Sequence, residues 1–274
     1  MGLLTIDAEK CKRDGLCAAD CPTNIIRLAD KESVPEMISN GEAMCLLCGH
    51  CVAVCPHGAL DHALVPLASS PAIDKRLAVS EAQVEQFLRS RRSVRRFKDR
   101  PVEQEAMQHL IEIARYAPTG SNQQLVEWVV INDRMQLQTL SGEVVAWMRA
   151  ILEADPQAAA MPYLPRLVQA WDDGVDAVLR GAPCLVIAMT PEQDRNGMVD
   201  LTLALSYLEL AAPVFGLGTC WAGLLQGAIK SNPALKAIAG IPEVYPHFYP
   251  MMIGYSQVKY HRLPERKIPK ISWK

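Results

Sequence analysis

The stretch Cys45-Leu-Leu-Cys48-Gly-His-Cys51-Val-Ala-Val-Cys55-Pro56 sets four thiols at spacings of three, three and four and closes on proline. Three thiols along so tight a turn can grip three corners of one iron–sulfur cubane. The fourth, followed by proline, is directed away toward a second cluster. A zinc ribbon places its cysteine pairs farther apart. A disulfide framework does not suit a chain whose opening Met1-Gly-Leu-Leu-Thr-Ile-Asp predicts no secretory segment. The run therefore reads as an iron–sulfur ligand loop, and much of the remaining chain can be read from it.

An earlier stretch, Cys11-Lys-Arg-Asp14-Gly-Leu-Cys17-Ala-Ala-Asp-Cys21-Pro22, repeats the same frame with Asp14 where the second cysteine would stand. Together the loops resemble the two-cluster bacterial ferredoxins over about residues 5–62. The resemblance implies crossed ligation. Cys21, Cys45, Cys48 and Cys51 would hold one [4Fe-4S] cluster, and Cys11, Cys17 and Cys55 the other, as [4Fe-4S] or [3Fe-4S]. Asp14 leaves its corner open: an oxygen ligand, a bound water, a missing iron, or a solvated turn residue before Gly15, since Asp-Gly is a good turn pair. His57 reads either as a hydrogen-bonding neighbour of a cluster or as an exposed turn residue. The insert Leu28–Ala43 predicts a hairpin or a short helix.

Seven of the nine cysteines precede residue 56, which marks a boundary. Residues 1–64 carry 5 Lys/Arg against 9 Asp/Glu, a formal −4, and the remainder carries +2. An acidic module beside a nearly neutral body argues against nucleic acid as a partner. Residues 65–79, rich in proline and small residues, read as a linker. Ser80 then caps Glu81-Ala-Gln-Val-Glu, and Val84, Phe87 and Leu88 give the following helix an apolar face. A second domain is expected over residues 80–274, long and apolar enough for a sizeable core.

That helix runs into Arg91-Arg92-Ser93-Val94-Arg95-Arg96-Phe97. On charge alone such a run is a solvated face, yet its guanidinium groups also suit a dianion. A helix is predicted over 102–117 and a strand over 126–131. Between them Pro118-Thr119-Gly120-Ser121-Asn122-Gln123-Gln124 forms a short polar loop whose amides and Asn122 carboxamide can face a polar ring edge. These two motifs, followed by Gly216-Leu-Gly218-Thr-Cys220-Trp221-Ala222-Gly223 after a long apolar helix, resemble the nitroreductase family of FMN flavoproteins over about residues 84–270.

The resemblance implies an α+β fold, a mixed central sheet flanked by helices in a homodimer, here behind a small ferredoxin-like domain. It matches Arg91, Arg92, Ser93 and Arg95 to phosphate and ribityl contacts, and Asn122 to the flavin's pyrimidine edge. Pro118, Thr119, Gly120, Ser121 and Gln124 accompany Asn122. Trp221, Ala222 and Gly223 match the loop beside the reactive middle ring, where a backbone N–H points at N5, and Arg266 matches a late basic residue returning to the phosphate. The family's Gln-Pro-Trp is replaced by Gln124-Leu125-Val126, so no role passes to the missing tryptophan. The arm 260–274 is expected to reach across to the second subunit.

Ala182–Met189 predicts a central strand buried on both faces, and Met198–Phe215 a buried helix rather than a membrane span. Cys184 and Cys220 read as inert buried thiols. The segment Gly142–Gly181, with Trp147, Met148, Met161, Tyr163 and Trp171, matches no motif; the resemblance implies a variable insertion here that covers the flavin and sets substrate choice. No Gly-x-Gly-x-x-Gly follows a predicted strand, so no Rossmann site is expected. The resulting expectation is a cytoplasmic oxidoreductase without membrane or nucleic-acid partners. It would pass electrons from clusters, a soluble donor protein or NAD(P)H through FMN to a nitroaromatic, quinone or activated alkene. An electron-transfer module serving a partner protein and a redox sensor are the competing readings.

Overall fold

Each cysteine loop turns on one glycine. Gly15 and Gly49 stand at the same place in the two repeats, and both take left-handed backbone, φ 74° and 70°, where a side chain would be strained. In the computed structural model, which describes residues 2–155, 157 and 163–274, the chain divides into two units. One comprises Met1–Val79 with Ser121–Gln123, the other Ser80–Gly120 with Gln124–Lys274.

The first unit runs β1 (Leu4–Ile6), α1 (Leu16–Ala19), β2 (Ile26–Arg27), β3 (Glu36–Met37), α2 (Gly41–Met44), α3 (His50–Val54) and β4 (Leu60–His62). Strand β1 pairs antiparallel with β4, Leu4 opposite His62, and β2 with β3, Ile26 opposite Met37. The insert therefore contributes both a hairpin strand and a short helix. The core is small, built on Ile25, Ile26, Val52 and Leu60 together with two of the thiols, Cys17 and Cys21. Residues 65–79 group with this unit and form only two single 3₁₀ turns, Leu67–Ser69 and Lys75–Leu77.

The second unit begins at α4 (Glu81–Ser90), whose Ser80 cap and Gln83 complete a reciprocal capping box. It continues through α5 (Gln104–Ala114), β5 (Glu127–Ile131), α6 (Arg134–Ala154), α7 (Tyr163–Asp172), β6 (Cys184–Thr190) and α8 (Gly197–Ala211). The remaining elements are β7 (Leu217–Trp221), α9 (Gly223–Ser231), α10 (Pro233–Ile238) and β8 (His247–Tyr255). The sheet order is β5-β6-β8-β7. Every pairing in it is antiparallel, so the mixed strand directions expected from the resemblance are not found among these four strands.

All residues of β6 are buried because helices cover both faces of the sheet. Leu185, Ile187 and Met189 alternate onto one face, with Leu140, Val144 and Met148 of α6. Cys184, Val186 and Ala188 alternate onto the other, against Leu201, Leu205 and Leu208 of α8 and Leu110 of α5. A long apolar run does not fix strand direction; it reports burial on two faces. The segment Gly197–Phe215 is long and apolar enough to cross a membrane by length and composition, and here α8 lies against the sheet.

Three side chains of the segment expected to cover a flavin pack on the core. Met148 is fully buried, and Trp147 and Trp171 pack against the same cluster. Tyr163 is exposed, and Met161 lies outside the described residues. Val84, Phe87 and Leu88 of α4 stay partly open, and Ile268 and Trp273 of the C-terminal arm are each 90% exposed.

The strand-like segment at Val94 is held by its N–H donating to Thr219 O at 2.8 Å. Opposite it, a Cβ on Gly218 would come within 2.3 Å of Val94 Cγ2, and a β-branched side chain has little freedom to withdraw. Gly218→Ala is expected to lower stability by about 1–3 kcal/mol, with part of the loss recovered when Val94→Ala is added. Urea unfolding midpoints at unchanged slope check this; a single variant with the parent's midpoint would show that the approach is not tight.

Candidate functional site

In the first unit the cysteines converge on two cavities. One is walled by Cys21, Cys45, Cys48 and Cys51 beside Thr23 and His62. The other is walled by Cys11, Asp14, Cys17 and Cys55 beside His57. The grouping crosses between the loops, as the ferredoxin resemblance implies. Among the described residues no three His, Cys, Asp or Glu side chains close on a single ion. A cubane takes its ligands at separate corners, one thiol to an iron, and each cavity brings such a set together. Burial pushes the Cys51 thiol up to about 11, with Cys48 and Cys45 adding to the effect, and burial also raises Cys17. Such thiols ligate by giving up their protons to metal, which couples assembly to proton release.

Asp14 lines the second cavity, yet its Oδ1 also accepts from Leu16 N at 3.2 Å, and its Oδ2 lies 3.6 Å from His57 Nε2. His57 thus meets Asp14. The histidine that meets a thiol is His62, 1% exposed, with Nε2 3.6 Å from Cys45 Sγ. The sequence reading passed over it. Its signal was the alternation of β4, in which Leu60 and His62 point inward and Asp61 outward.

In the second unit, Arg91 donates to Glu209 Oε1 at 3.1 Å, and Trp221 Nε1 donates to Glu209 Oε2 at 3.0 Å. Arg91, Arg92 and Arg266 line one cavity of 550 Å³ with Arg89, Lys267 and two carboxylates, Glu85 and Glu265. Arg266 thus lines the same cavity as the first two arginines of the motif. Burial raises the Cys220 thiol, opposed by Arg95, Arg180 and Ser93 and reinforced by the Glu209 charge.

Trp221 meets Tyr249 edge to face at 4.9 Å. Ala222 N donates to Pro250 O at 2.9 Å, which commits that amide. The next one, on Gly223, opens α9, where first-turn N–H groups have no intrahelical acceptor.

The polar loop is tied down at both ends. Gly120 N donates to Asp200 Oδ2 at 2.9 Å, and a Cβ at Gly120 would come within 2.1 Å of Asn196 Nδ2. Gln124 N donates to Thr119 Oγ1 at 3.0 Å. Between these ties Ser121 and Asn122, and then Gln124, take left-handed backbone, φ 50°, 55° and 53°, a sparsely populated region for residues other than glycine. Asn122 belongs to the first unit; its Nδ2 donates to Leu46 O at 3.0 Å and Leu47 O at 3.1 Å. Its Oδ1 remains the acceptor able to meet an imide N–H. Glu209 and Asp200 were visible in the sequence only as interruptions of an apolar helix.

Residues 88–255 match the Nitroreductase family and residues 5–59 a 4Fe-4S dicluster domain. A protein of Archaeoglobus fulgidus assigned as an NADH dehydrogenase or NAD(P)H nitroreductase is 25% identical over 173 residues, 61% of this chain and 81% of its own. A nitroreductase of Desulfitobacterium hafniense with bound FMN aligns over 71% of this chain and 100% of its own, with a TM-score of 0.55 and 22% identity. A second, from Bacteroides fragilis NCTC 9343 and also with bound FMN, aligns over the same shares at a TM-score of 0.55 and 19% identity. These structural likenesses establish the fold.

Burial raises the Asp200 carboxyl above the usual carboxylate range; the Gly120 N–H opposes this and the Asp194 charge adds to it. The native state then holds the proton more firmly than the unfolded chain does. Its contribution is present in full below the ordinary carboxylate pKa of about 4 and is lost as pH rises through the folded value. Asp200→Asn keeps an acceptor for Gly120 without a titrating proton. The parent's stability relative to that variant should therefore fall as pH rises from about 4. Asp200→Ala, which leaves a buried N–H unpaired, should cost about 1–3 kcal/mol throughout. All five tryptophans lie in the second unit, so their fluorescence during urea unfolding reads this unit alone. A parent-to-Asn difference that stays flat with pH would refute the assignment.

Proposed function

We propose a function from one premise: the chain belongs to the nitroreductase family and carries a 4Fe-4S dicluster domain ahead of the matched region. The protein is a homodimeric, cytoplasmic FMN-dependent oxidoreductase. It passes electrons from its clusters, or from NAD(P)H, through FMN to a small organic acceptor such as a nitroaromatic, quinone or activated alkene. FMN supplies the exchange between single-electron and paired-electron transfer, and the protein supplies binding and orientation.

The observation that carries cluster-fed electron entry is the crossed grouping of the cysteines about two cavities.

In this reading Arg91, Arg92 and Arg266 bind the phosphate dianion as charge-assisted donors. Glu209 fixes Arg91, so that one guanidinium is already oriented before the cofactor arrives. Ser93 and Arg95 serve the ribityl and phosphate end, Asn122 Oδ1 takes the pyrimidine edge, and Gly223 N–H is the backbone donor beside the middle ring. The partly open apolar face of α4 and the exposed Ile268 and Trp273 support a second subunit as their covering.

Anaerobically prepared protein is expected to carry about one FMN per chain and about seven or eight irons, the lower figure if Asp14 leaves a corner empty. Cys48→Ser should lose the Cys21/Cys45/Cys48/Cys51 cluster while FMN content and dimer mass stay at the parent's values. Flavin reduction by a one-electron donor should slow by orders of magnitude, and reduction by NAD(P)H, where it occurs, should survive. Stopped-flow reduction followed by challenge with the three acceptor classes reads all of this. A variant reduced by the one-electron donor as fast as the parent removes the clusters from the entry route. A parent that reduces no acceptor refutes the enzyme reading.

A further inference from the structure

His62 is held in one protonation pattern by the backbone around it. Its Nδ1 lies 3.1 Å from Leu64 N and 3.0 Å from Val65 N, and both of those groups are donors. Val65 N is shared with His62 O at 3.1 Å, whereas Leu64 N is directed to the ring. A proton on Nδ1 would face two N–H groups, so the ring nitrogen that carries hydrogen is Nε2. That nitrogen is the one 3.6 Å from Cys45 Sγ.

The turn that presents these amides is itself fastened. Asp61 Oδ1 accepts from His62 N at 2.9 Å and from Leu67 N at 2.7 Å. On the other side, β4 is fixed by pairing with β1, Leu4 opposite His62. With the ring 1% exposed, solvent has little access to compete for the sulfur.

We propose that His62 is a tuning residue that donates Nε2–H to Cys45 Sγ and raises the reduction potential of the cluster held by Cys21, Cys45, Cys48 and Cys51. The inference rests on the cluster reading above. A donor to a ligand sulfur stabilises the more negative, reduced cluster more than the oxidised one, and hydrogen bonds to sulfur are among the determinants of cluster potential. The role is confined to one cluster. At the second cavity the sulfur contact is a backbone one, Ala59 N to Cys55 Sγ at 3.4 Å, and His57 is turned to Asp14.

The test is a potentiometric titration of the anaerobic holoprotein followed by electron paramagnetic resonance, on the parent, His62→Leu and His62→Gln. Leu fills the buried space without a donor, and Gln carries an amide N–H to about the reach of Nε2. His62→Leu should shift the Cys45 cluster to a more negative potential. The expected size is about tenfold in the reduced-to-oxidised ratio at fixed potential, or about 59 mV for one electron. His62→Gln should stay near the parent, and the other cluster should not move. A Leu variant with full iron and the parent's potential overturns the proposal.

Should His62→Leu fail to hold iron, the parent grown with ¹⁵N-histidine decides. Pulsed resonance of the reduced cluster must then show coupling to one ¹⁵N that disappears in His62→Gln, and absence of that coupling overturns the proposal equally. Parent protein without iron would instead refute the cluster reading itself, so the two failures are separable.

Discussion

A carboxylate inside an apolar helix is costly unless it is paired, and α8 carries two of them. Asp200 and Glu209 are 2% and 7% exposed, nine residues apart, or about 13 Å along the helix axis. Each is satisfied by a segment distant in sequence: Asp200 by the backbone of Gly120, Glu209 by both Arg91 and Trp221. All three motifs that carry the nitroreductase resemblance are thus tied to one helix, whose apolar residues lock it to the sheet. The second unit is organised around these two pairings more than around any single motif. Removing either carboxylate leaves buried donors without partners, which costs more than the pairing itself contributes.

The first unit depends on a different constraint. Its buried core includes two of the cysteines that wall the cavities, and its helices are single turns. So small a module has little apolar surface to bury and needs another source of stability. Clusters bound by seven cysteines drawn from two repeats would supply it, making metal binding and folding one equilibrium. The paired glycines at 15 and 49 serve that arrangement, since each turns the chain so that the thiols on either side of it face one interior.

Features set by local chemistry were legible in the sequence. The Ser80 cap, the two cysteine frames and the buried run at β6 all stand close to where the pattern put them. Cys184, expected to be inert, is pushed up to about 12 by burial. What the sequence hid depended on distant partners. Glu209 meets Arg91 across 118 residues and Asp200 meets Gly120 across 80, and no periodicity encodes either meeting. The antiparallel order of the four strands was not legible, because burial on both faces is common to parallel sheets and to this antiparallel one. That Trp147 and Trp171 pack against the core was not legible, because aromatic content alone does not separate core from surface. His57 stands nearer a cysteine in sequence than His62 does, whereas strand parity decides which ring points inward.

Backbone strain at the polar loop gives the last connection. Ser121, Asn122 and Gln124 all hold left-handed conformations, at a cost of order 1–3 kcal/mol each, and such a loop persists only when its surroundings over-determine it. Gly120 is fixed by Asp200, and Gln124 by Thr119. Asn122 is fixed by Leu46 and by Leu47, which is itself left-handed at φ 51°. Leu46 and Leu47 are the residues between Cys45 and Cys48, so their carbonyls are aimed by the same turn that aims the thiols. Neither the helix periodicity nor the cysteine spacing records that orientation.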